Sequence, residues 1–489
     1  MSFSTSPARP LGAPARARAW LVLVCLAMLQ FFIAVDVTVV NVALPAIGHE
    51  LGGDPRRMTW VIVGYTITGG GLLMLGGRLG DVLGRRRVLV LGTALFGAAS
   101  VLAGAAWSLP VLVAARLLQG AGEALALPAA MAVIVLLFPE GPRRARALGV
   151  WAGVASCGLV VGFVLSGVIT ELLGWRWVFL VAVPFVVLVL VAAIVLVPAD
   201  PQRERRPLDL AGSALLTAAP LLFAAGATGV GEGAPGTRWL AVAALLAAVV
   251  AAALFVRVER HVANPLVPPS FFRHRVRVLA NLATALLSAA LSTSFVLLTY
   301  HLQRRLGLSP LAAGLTLVPL GVSLVVVAAV VPRALDRWGP RACMLAGITS
   351  TASGVAAVAL CAHLGAPAAA AVPAMVLIAA GMGFGIVGLQ YAAVTGATDE
   401  DAGVAAGAQR AADQLGGSAG IAAYVGVGFA PAFAGATPYV VSGALAVAGL
   451  VVAGLVAARI DLPAAAPATA PERRPAPRGF LGRRSARRR

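Results

Sequence analysis

Gly77–Arg87 reads GRLGDVLGRRR, a charge-dense run set between two long apolar stretches. One carboxylate, Asp81, stands among four arginines, Arg78, Arg85, Arg86 and Arg87, with glycines at 77, 80 and 84. The run is too short for a domain and too charged for the interior of a bilayer. It reads as a tight turn between two membrane helices, held on the cytoplasmic side by its arginines.

Composition agrees with that reading. The chain of 489 residues is 60% hydrophobic and 12% charged, with a mean hydropathy of +0.92. A soluble chain carries about 25% charged residues. The formal net charge of +19 could suggest nucleic acid, but the arginines lie between apolar segments, where the positive-inside rule wants them. Every basic residue is Arg, the mark of a GC-rich bacterial genome. Cys25, Cys157, Cys343 and Cys361 have neither metal nor redox spacing and read as small buried hydrophobes. The first apolar segment is too long for a signal peptide and reads as a retained helix.

A spanning helix needs about 20 mostly apolar residues. Fourteen stretches qualify: 20–45, 59–78, 88–107, 109–138, 148–170, 177–197, 210–229, 239–256, 277–299, 310–332, 341–361, 369–391, 403–428 and 438–458. With a cytoplasmic N-terminus, the inner segments carry thirty arginines and the outer loops six, while Arg116 and Arg410 lie inside helices. The turn has an echo. Asp81–Arg86 and Asp336–Arg341 both fit D-x-x-G-x-R, and each follows the second helix of a set of six. The expected organisation is a cytoplasmic segment 1–19, a six-helix bundle 20–197, a linker 198–276 with two inserted helices, a second six-helix bundle 277–458, and a disordered Arg/Pro/Ala-rich cytoplasmic tail 459–489. The fold class is all-α, polytopic and membrane-spanning, with both termini cytoplasmic.

Four stretches carry a family resemblance. Gly77–Arg86 resembles the inner-loop signature G-x-L-x-D-x-x-G-R-R of the major facilitator superfamily. DVTVVNVALP, from Asp36 to Pro45, resembles the first-helix motif of its fourteen-helix drug:proton antiporter branch. RLLQGAG, from Arg116 to Gly122, resembles R-x-x-Q-G-x-G of the fourth helix. Gly158–Gly167 is a degenerate form of the fifth-helix antiporter motif, with Phe163 in place of the usual Pro and Ser166 in place of a Gly. That departure weakens the motif's link to export, while the small residues that remain still allow close helix packing.

The resemblance implies a major facilitator fold of two six-helix bundles plus two inserted helices, working by alternating access. It assigns gating to Gly77, Arg78, Asp81, Gly84, Arg85, Arg86 and Asp336, with Asp81 as a latch that forms in one state of the cycle. It links Arg116 to proton coupling. Ionisable residues inside membrane helices are functional candidates by default, which adds Asp36 and Glu123 for proton handling. Glu123 is seven residues beyond Arg116, on the same face, with Gln119 between them. It departs from the family, where that position is small. Each of these residues has a plain alternative: a polar contact with a neighbouring helix for Asp36, and neutralisation of a basic neighbour for Glu123. Arg410 and Asp413 read as an intrahelical pair. Phe32, Asn41, Gln119, Gln390 and Tyr391 are candidates for a substrate cavity, and His49, His301 and His363 for interfacial positions.

No Walker motif, metal cluster or nucleophile constellation is present, so the expected energy source is a proton gradient, without a cofactor. The expected function is proton-coupled export of drugs, antibiotics or related amphipathic or cationic compounds across the bacterial plasma membrane. The expected partners are that small-molecule substrate, protons and membrane lipids, with no nucleic acid. Transport of one specific metabolite, in either direction, is the second reading. A membrane-embedded enzyme is the third, and it would need a polar catalytic cluster and a sizeable loop that the sequence does not show.

Overall fold

The computed structural model describes residues 13–138, 141–198, 207–230, 235–268, 270–395, 402–430, 433 and 437–461. The tail beyond Asp461 and the acidic stretch Asp399–Asp401 lie outside these residues. All regular structure among the described residues is helical. The main helices are α1 (Ala13–Leu51), α2 (Trp60–Leu83), α3 (Arg85–Gly104), α4 (Leu109–Leu137), α5 (Pro142–Leu172), α6 (Val183–Leu196), α7 (Leu210–Gly229), α8 (Pro235–His261), α9 (Arg275–Tyr300), α10 (Val318–Leu364), α11 (Val372–Gly381), α12 (Ala402–Gly420) and α13 (Thr437–Ala458). Twelve stretches among the described residues are long and apolar enough to cross a membrane. One of them, Pro310–Leu364, is 55 residues long and turns sharply at Gly339.

The first helix differs from its expected span. It begins at Ala13, so part of the expected N-terminal segment is already helical, and it continues past Pro45 to Leu51. Helices α1–α6 pack chiefly on one another, as do α9–α13. The paired helices α7 and α8 lie beside the seam between the sets, with α7 against α2 and against residues 421–428.

The two loop aspartates mark a repeat deeper than six residues. Gly84 and Gly339, each three residues beyond its aspartate, have φ of 95° and 79° and ψ of 133° and 162°. Side chains other than hydrogen are strongly disfavoured there. Each glycine starts the next helix, and each next helix crosses a later one at matching points. Eleven residues past each aspartate, Gly92 meets Ala126 and Gly347 meets Gly385. Four residues further on, Phe96 meets Gly122 and Thr351 meets Gly381. At all four crossings a Cβ on the glycine would come within 3 Å of a neighbouring atom. Backbone therefore packs on backbone, as small residues permit in membrane helices.

At the end opposite the Gly77–Arg87 turn, the two sets are joined. The Gln303 amide donates to the Val42 carbonyl at 2.8 Å and the Tyr300 hydroxyl to the Pro55 carbonyl at 3.3 Å. Leu311 N–H donates to Glu171 at 2.9 Å, and Phe163 packs on Phe295 with ring centroids 5.6 Å apart. Midway, α5 still touches α10, where a Cβ on Gly321 would lie 2.5 Å from Val160. Towards the Gly77–Arg87 end, α5 faces open space: a Cβ at Gly149 or Gly153 would meet nothing within 4 Å. At that end this face of α5 is uncovered by other helices.

Replacing Gly339 by Ala should destabilise the protein by about 1–3 kcal/mol through backbone strain alone, because open space surrounds the new methyl group. Gly347→Leu should cost more, since it drives two helix backbones apart. Thermal melts in detergent would rank the two, and a melting temperature unchanged in Gly347→Leu would contradict the crossing.

Candidate functional site

The fourth helix is held by glycines on two sides. Gly120 sits against Tyr65 and Thr68 of α2, while Gly122 sits against Phe96 of α3. Two residues apart on a helix face nearly opposite directions, so the QGAG run wedges α4 tightly between its neighbours. The close approach to α2 lets the Arg116 guanidinium reach a main-chain carbonyl: its Nε donates to Val61 at 2.8 Å. Its Nη1 donates to Asp36 Oδ2 at 2.5 Å and to Gln119 Oε1 at 3.0 Å. The Gln119 amide donates to Ser100 at 2.9 Å and lies 3.5 Å from Asp36 Oδ1. Arg116 also stacks on Tyr65, with Cζ 4.1 Å from the ring centroid. Arg116, Gln119 and Asp36 are all buried.

One turn further along α4, Glu123 is also buried. Its Oε1 accepts from the Gln414 amide of α12 at 3.1 Å, which joins the two sets of helices. Its Oε2 and the Gln414 carbonyl oxygen have no hydrogen-bond partner. Both lie beside Gly69 of α2, each 3.3 Å from where a Cβ would stand. The Tyr65 hydroxyl faces the same carboxylate. A glycine at 69 leaves room for these two acceptors to converge. Nearby, Thr66 and Ser418 share a hydrogen bond of 2.5 Å across the seam.

The repeat shows how one-sided this network is. By the register of the crossings, Arg116 and Gln119 correspond to Met375 and Ile378 in the second set, both buried and apolar. Asp413 instead accepts from Ser288 at 2.5 Å and pairs with Arg410 at 3.5 Å along α12, as its spacing suggested.

The charged turn works differently. Asp81 pairs with Arg85 at 3.4 Å, one helical turn on, and the pair is partly exposed. Arg86 donates to the Ile194 carbonyl and Arg18 to the Leu196 carbonyl at 3.0 Å, so both cap the end of α6. Arg78 donates to the carbonyls of Asn264 and Pro265, in the segment after α8. That segment is tied back in turn. Val267 N–H donates to the buried Glu259 at 3.0 Å, and Glu259 lies beside Asp209, which caps α7 through Gly212 N–H at 2.7 Å. Asp336 is exposed.

The cavity candidates scatter. Phe32 is buried and stacks on Phe185 at 4.3 Å, within the packing of the first set. Asn41 is buried and its amide donates to the Val37 carbonyl at 3.2 Å. Gln119 belongs to the Arg116 network, while Gln390 and Tyr391 are exposed near the Gly77–Arg87 end. His49 and His363 are exposed, but His301 is fully buried, against the interfacial position expected of it. It follows α9 within a π-helical turn that draws the ring inward. Sequence reasoning missed Tyr65, Ser100, Gln414, Asp209 and Glu259. Only Asp209 carried a local signal, as an Asp directly before an apolar run with a helix-capping role.

Residues 26–421 match the family described as Major Facilitator Superfamily. The chain belongs to this superfamily. It is accordingly a transporter and a multi-pass protein of the bacterial plasma membrane. It is 52% identical over 445 residues to the lincomycin resistance protein of Streptomyces lincolnensis, covering 90% of this chain and 91% of the relative. It is 38% identical over 406 residues to the cephamycin export protein of Amycolatopsis lactamdurans, covering 82% and 83%. A crystal structure of a peptide transporter in complex with sulfate superposes with a TM-score of 0.68 at 15% identity, covering 90% of this chain and 94% of the other. At that identity the likeness concerns the fold.

Asp36→Asn should destabilise this superfamily member by about 3–5 kcal/mol, because it leaves the buried Arg116 charge without a partner. The double variant Asp36→Asn/Arg116→Gln should be more stable than the sum of the two single losses, by about 1 kcal/mol or more. Chemical or thermal unfolding of all four proteins in detergent measures the coupling, and strict additivity would refute the ion pair.

Proposed function

We propose that this protein exports an antibiotic or a related amphipathic compound in exchange for protons. Export of drugs is supported by the relatives: the chain aligns over 82–90% of its length with proteins whose names specify lincomycin resistance, puromycin resistance and cephamycin export. A lincosamide-like compound, amphipathic and carrying a basic amine, is the substrate class we favour. Fourteen helices would cross the membrane: the twelve apolar stretches, with Pro310–Leu364 counted as two crossings about Gly339, and 402–428 added as the thirteenth in chain order. The arginine distribution then places both termini and the Gly77–Arg87 turn in the cytoplasm. The packing of α1–α6 on one another and of α9–α13 on one another supports the expected division into two six-helix bundles, 20–197 and 277–458, with the pair α7–α8 inserted between. On this topology the uncovered face of α5 at Gly149 and Gly153 lies towards the cytoplasm, the side from which an exporter loads.

Proton coupling rests on Glu123. Two acceptor oxygens, Glu123 Oε2 and Gln414 Oε1, both lie beside Gly69, with the Tyr65 hydroxyl facing the carboxylate. A proton on the carboxylate would add a donor towards Gln414 and tighten the seam between α4 and α12. Loss of the proton leaves a buried charge that favours parting of the two sets and a change of access. Asp36 and Arg116 compensate one another, so their role is to hold α1, α2 and α4 as one body and to set the field at Glu123. Asp81 serves as the latch: here it holds Arg85, and in the outward-facing state it would take a partner across the seam. Gly77 and Gly84 allow the turn, Arg78, Arg85 and Arg86 supply its charge, and Asp336 is the matching carboxylate of the second loop.

Glu123→Gln keeps the hydrogen bond from Gln414 but cannot exchange a proton. In proteoliposomes with an imposed pH gradient, gradient-driven transport of lincomycin should fall at least tenfold, with protein level and melting temperature kept. Gradient-driven transport at the wild-type rate would remove Glu123 from the coupling. Failure of the wild-type protein to move lincomycin would instead reject the substrate class.

A further inference from the structure

A cavity of about 350 Å³ lies between residues 56–60, at and just before the start of α2, and the inserted pair α7–α8, at the end opposite the Gly77–Arg87 turn. Arg56, Arg57 and Trp60 line one side, and Ala225 and Gly229 of α7 with Ala241 and Ala244 of α8 line the other. The inserted pair touches the rest of the protein elsewhere. Thr217 fills the notch left by Gly71, and Thr228 approaches Gly426. The cavity is the space that remains where α2 and the pair diverge.

Arg56 is only 7% exposed. Asp54 engages two of its nitrogens, Nε at 3.1 Å and Nη2 at 2.7 Å. Its Nη1 is buried and has no hydrogen-bond partner. A guanidinium N–H left unanswered away from water is costly, and a nearby anion would relieve that cost. Apart from Arg57, Trp60 and Thr228, the remaining lining is apolar and mostly small. Leu240 is 72% exposed at its rim, and Leu246, Val249 and Val250 carry exposed apolar surface further along α8. Trp60 beside two arginines has the composition of a membrane interface.

We propose that this cavity binds an anionic glycerophospholipid: its phosphate lies against the Arg56 guanidinium, its glycerol fills the alanine-lined space, and its acyl chains run along the outward face of α8. The bound lipid wedges the inserted pair against α2 and makes the joint between them dependent on an anion. On the topology proposed above the lipid comes from the outer leaflet, but the site does not depend on the transport reading. A free phosphate would share the contact with Arg56 and lose the apolar half of the site.

Native mass spectrometry of the purified full chain, titrated with phosphatidylglycerol, the phosphate-free lipid diacylglycerol or glycerol phosphate, separates these cases. The wild type should retain one phosphatidylglycerol about tenfold more tightly than diacylglycerol, the worth of one charge-assisted hydrogen bond. Arg56→Gln should erase that preference. Ala244→Trp, which fills the cavity from α8 and leaves Arg56 untouched, should abolish retention of the lipid, and it keeps the test valid if Arg56→Gln fails to fold. Equal retention of the two lipids by the wild type, or undiminished retention by Ala244→Trp, would overturn the site. Glycerol phosphate binding as tightly as phosphatidylglycerol would overturn the lipid and leave a soluble anion.

Discussion

A guanidinium sealed among membrane helices must have its charge and its donors answered from within the protein, because neither water nor lipid can do so. Arg116 meets this constraint through Asp36 on α1, Val61 and Tyr65 on α2, and Gln119 on its own helix. Three helices are thereby fixed in rotation and height. Ser100 extends the network to α3 through Gln119. The glycines of α4 are the condition for all of it. Without Gly120 the α2 backbone would stand too far away to accept from Arg116, and without Gly122 the α3 contact would open. Close packing and polar chemistry are therefore one design, since small residues bring the backbones close enough for a buried charge to use them.

The molecule repeats its architecture without repeating its chemistry. The loop aspartate, the positive-φ glycine and two backbone crossings recur with matching spacing in both sets of helices. The arginine network does not recur, because Met375 and Ile378 occupy the corresponding positions. One set carries a cross-linked polar core, while the other is apolar at those points and joins the first through Gln414 at Glu123. Glu123 is thus buried at the contact between the two sets of helices. The fifth-helix motif fits this picture in part. Its surviving small residues Gly158 and Gly162 pack on α1, and Gly167 packs on residues 310–314 of the other set. Phe163, the departure from the motif, fills the seam against Phe295.

The inserted pair also gains a physical role in the structure. It is moored at one end by Arg78 and the 264–267 segment, which Glu259 and Asp209 hold in place. It is moored at mid-height by Thr217 in the notch of Gly71. The turn that reads in sequence as a topological signal is thus also a fastener, with Arg78, Arg85 and Arg86 each bonded to a different element.

The amino-acid sequence by itself determined the membrane class, the approximate helices, the two related loops and the importance of Arg116. Each of these rests on patterns local in the chain: runs of apolar residues, alternation of arginines, and short motifs whose glycines mark turns and crossings. It could also place Arg116, Gln119 and Glu123 on one face of one helix, because helical spacing is fixed. Which residues answer them was decided by the tertiary structure alone. Asp36 lies 80 positions from Arg116, and Gln414 lies 291 positions from Glu123, so their meeting depends on how helices rotate against one another. The same holds for Phe32, which resembles a cavity residue in sequence and proves to be core, and for His301, which a π-helical turn carries inward. In a chain this apolar, hydrophobic periodicity says little about which face of a helix meets protein and which meets lipid, and only the packing of backbones at their glycines resolves it.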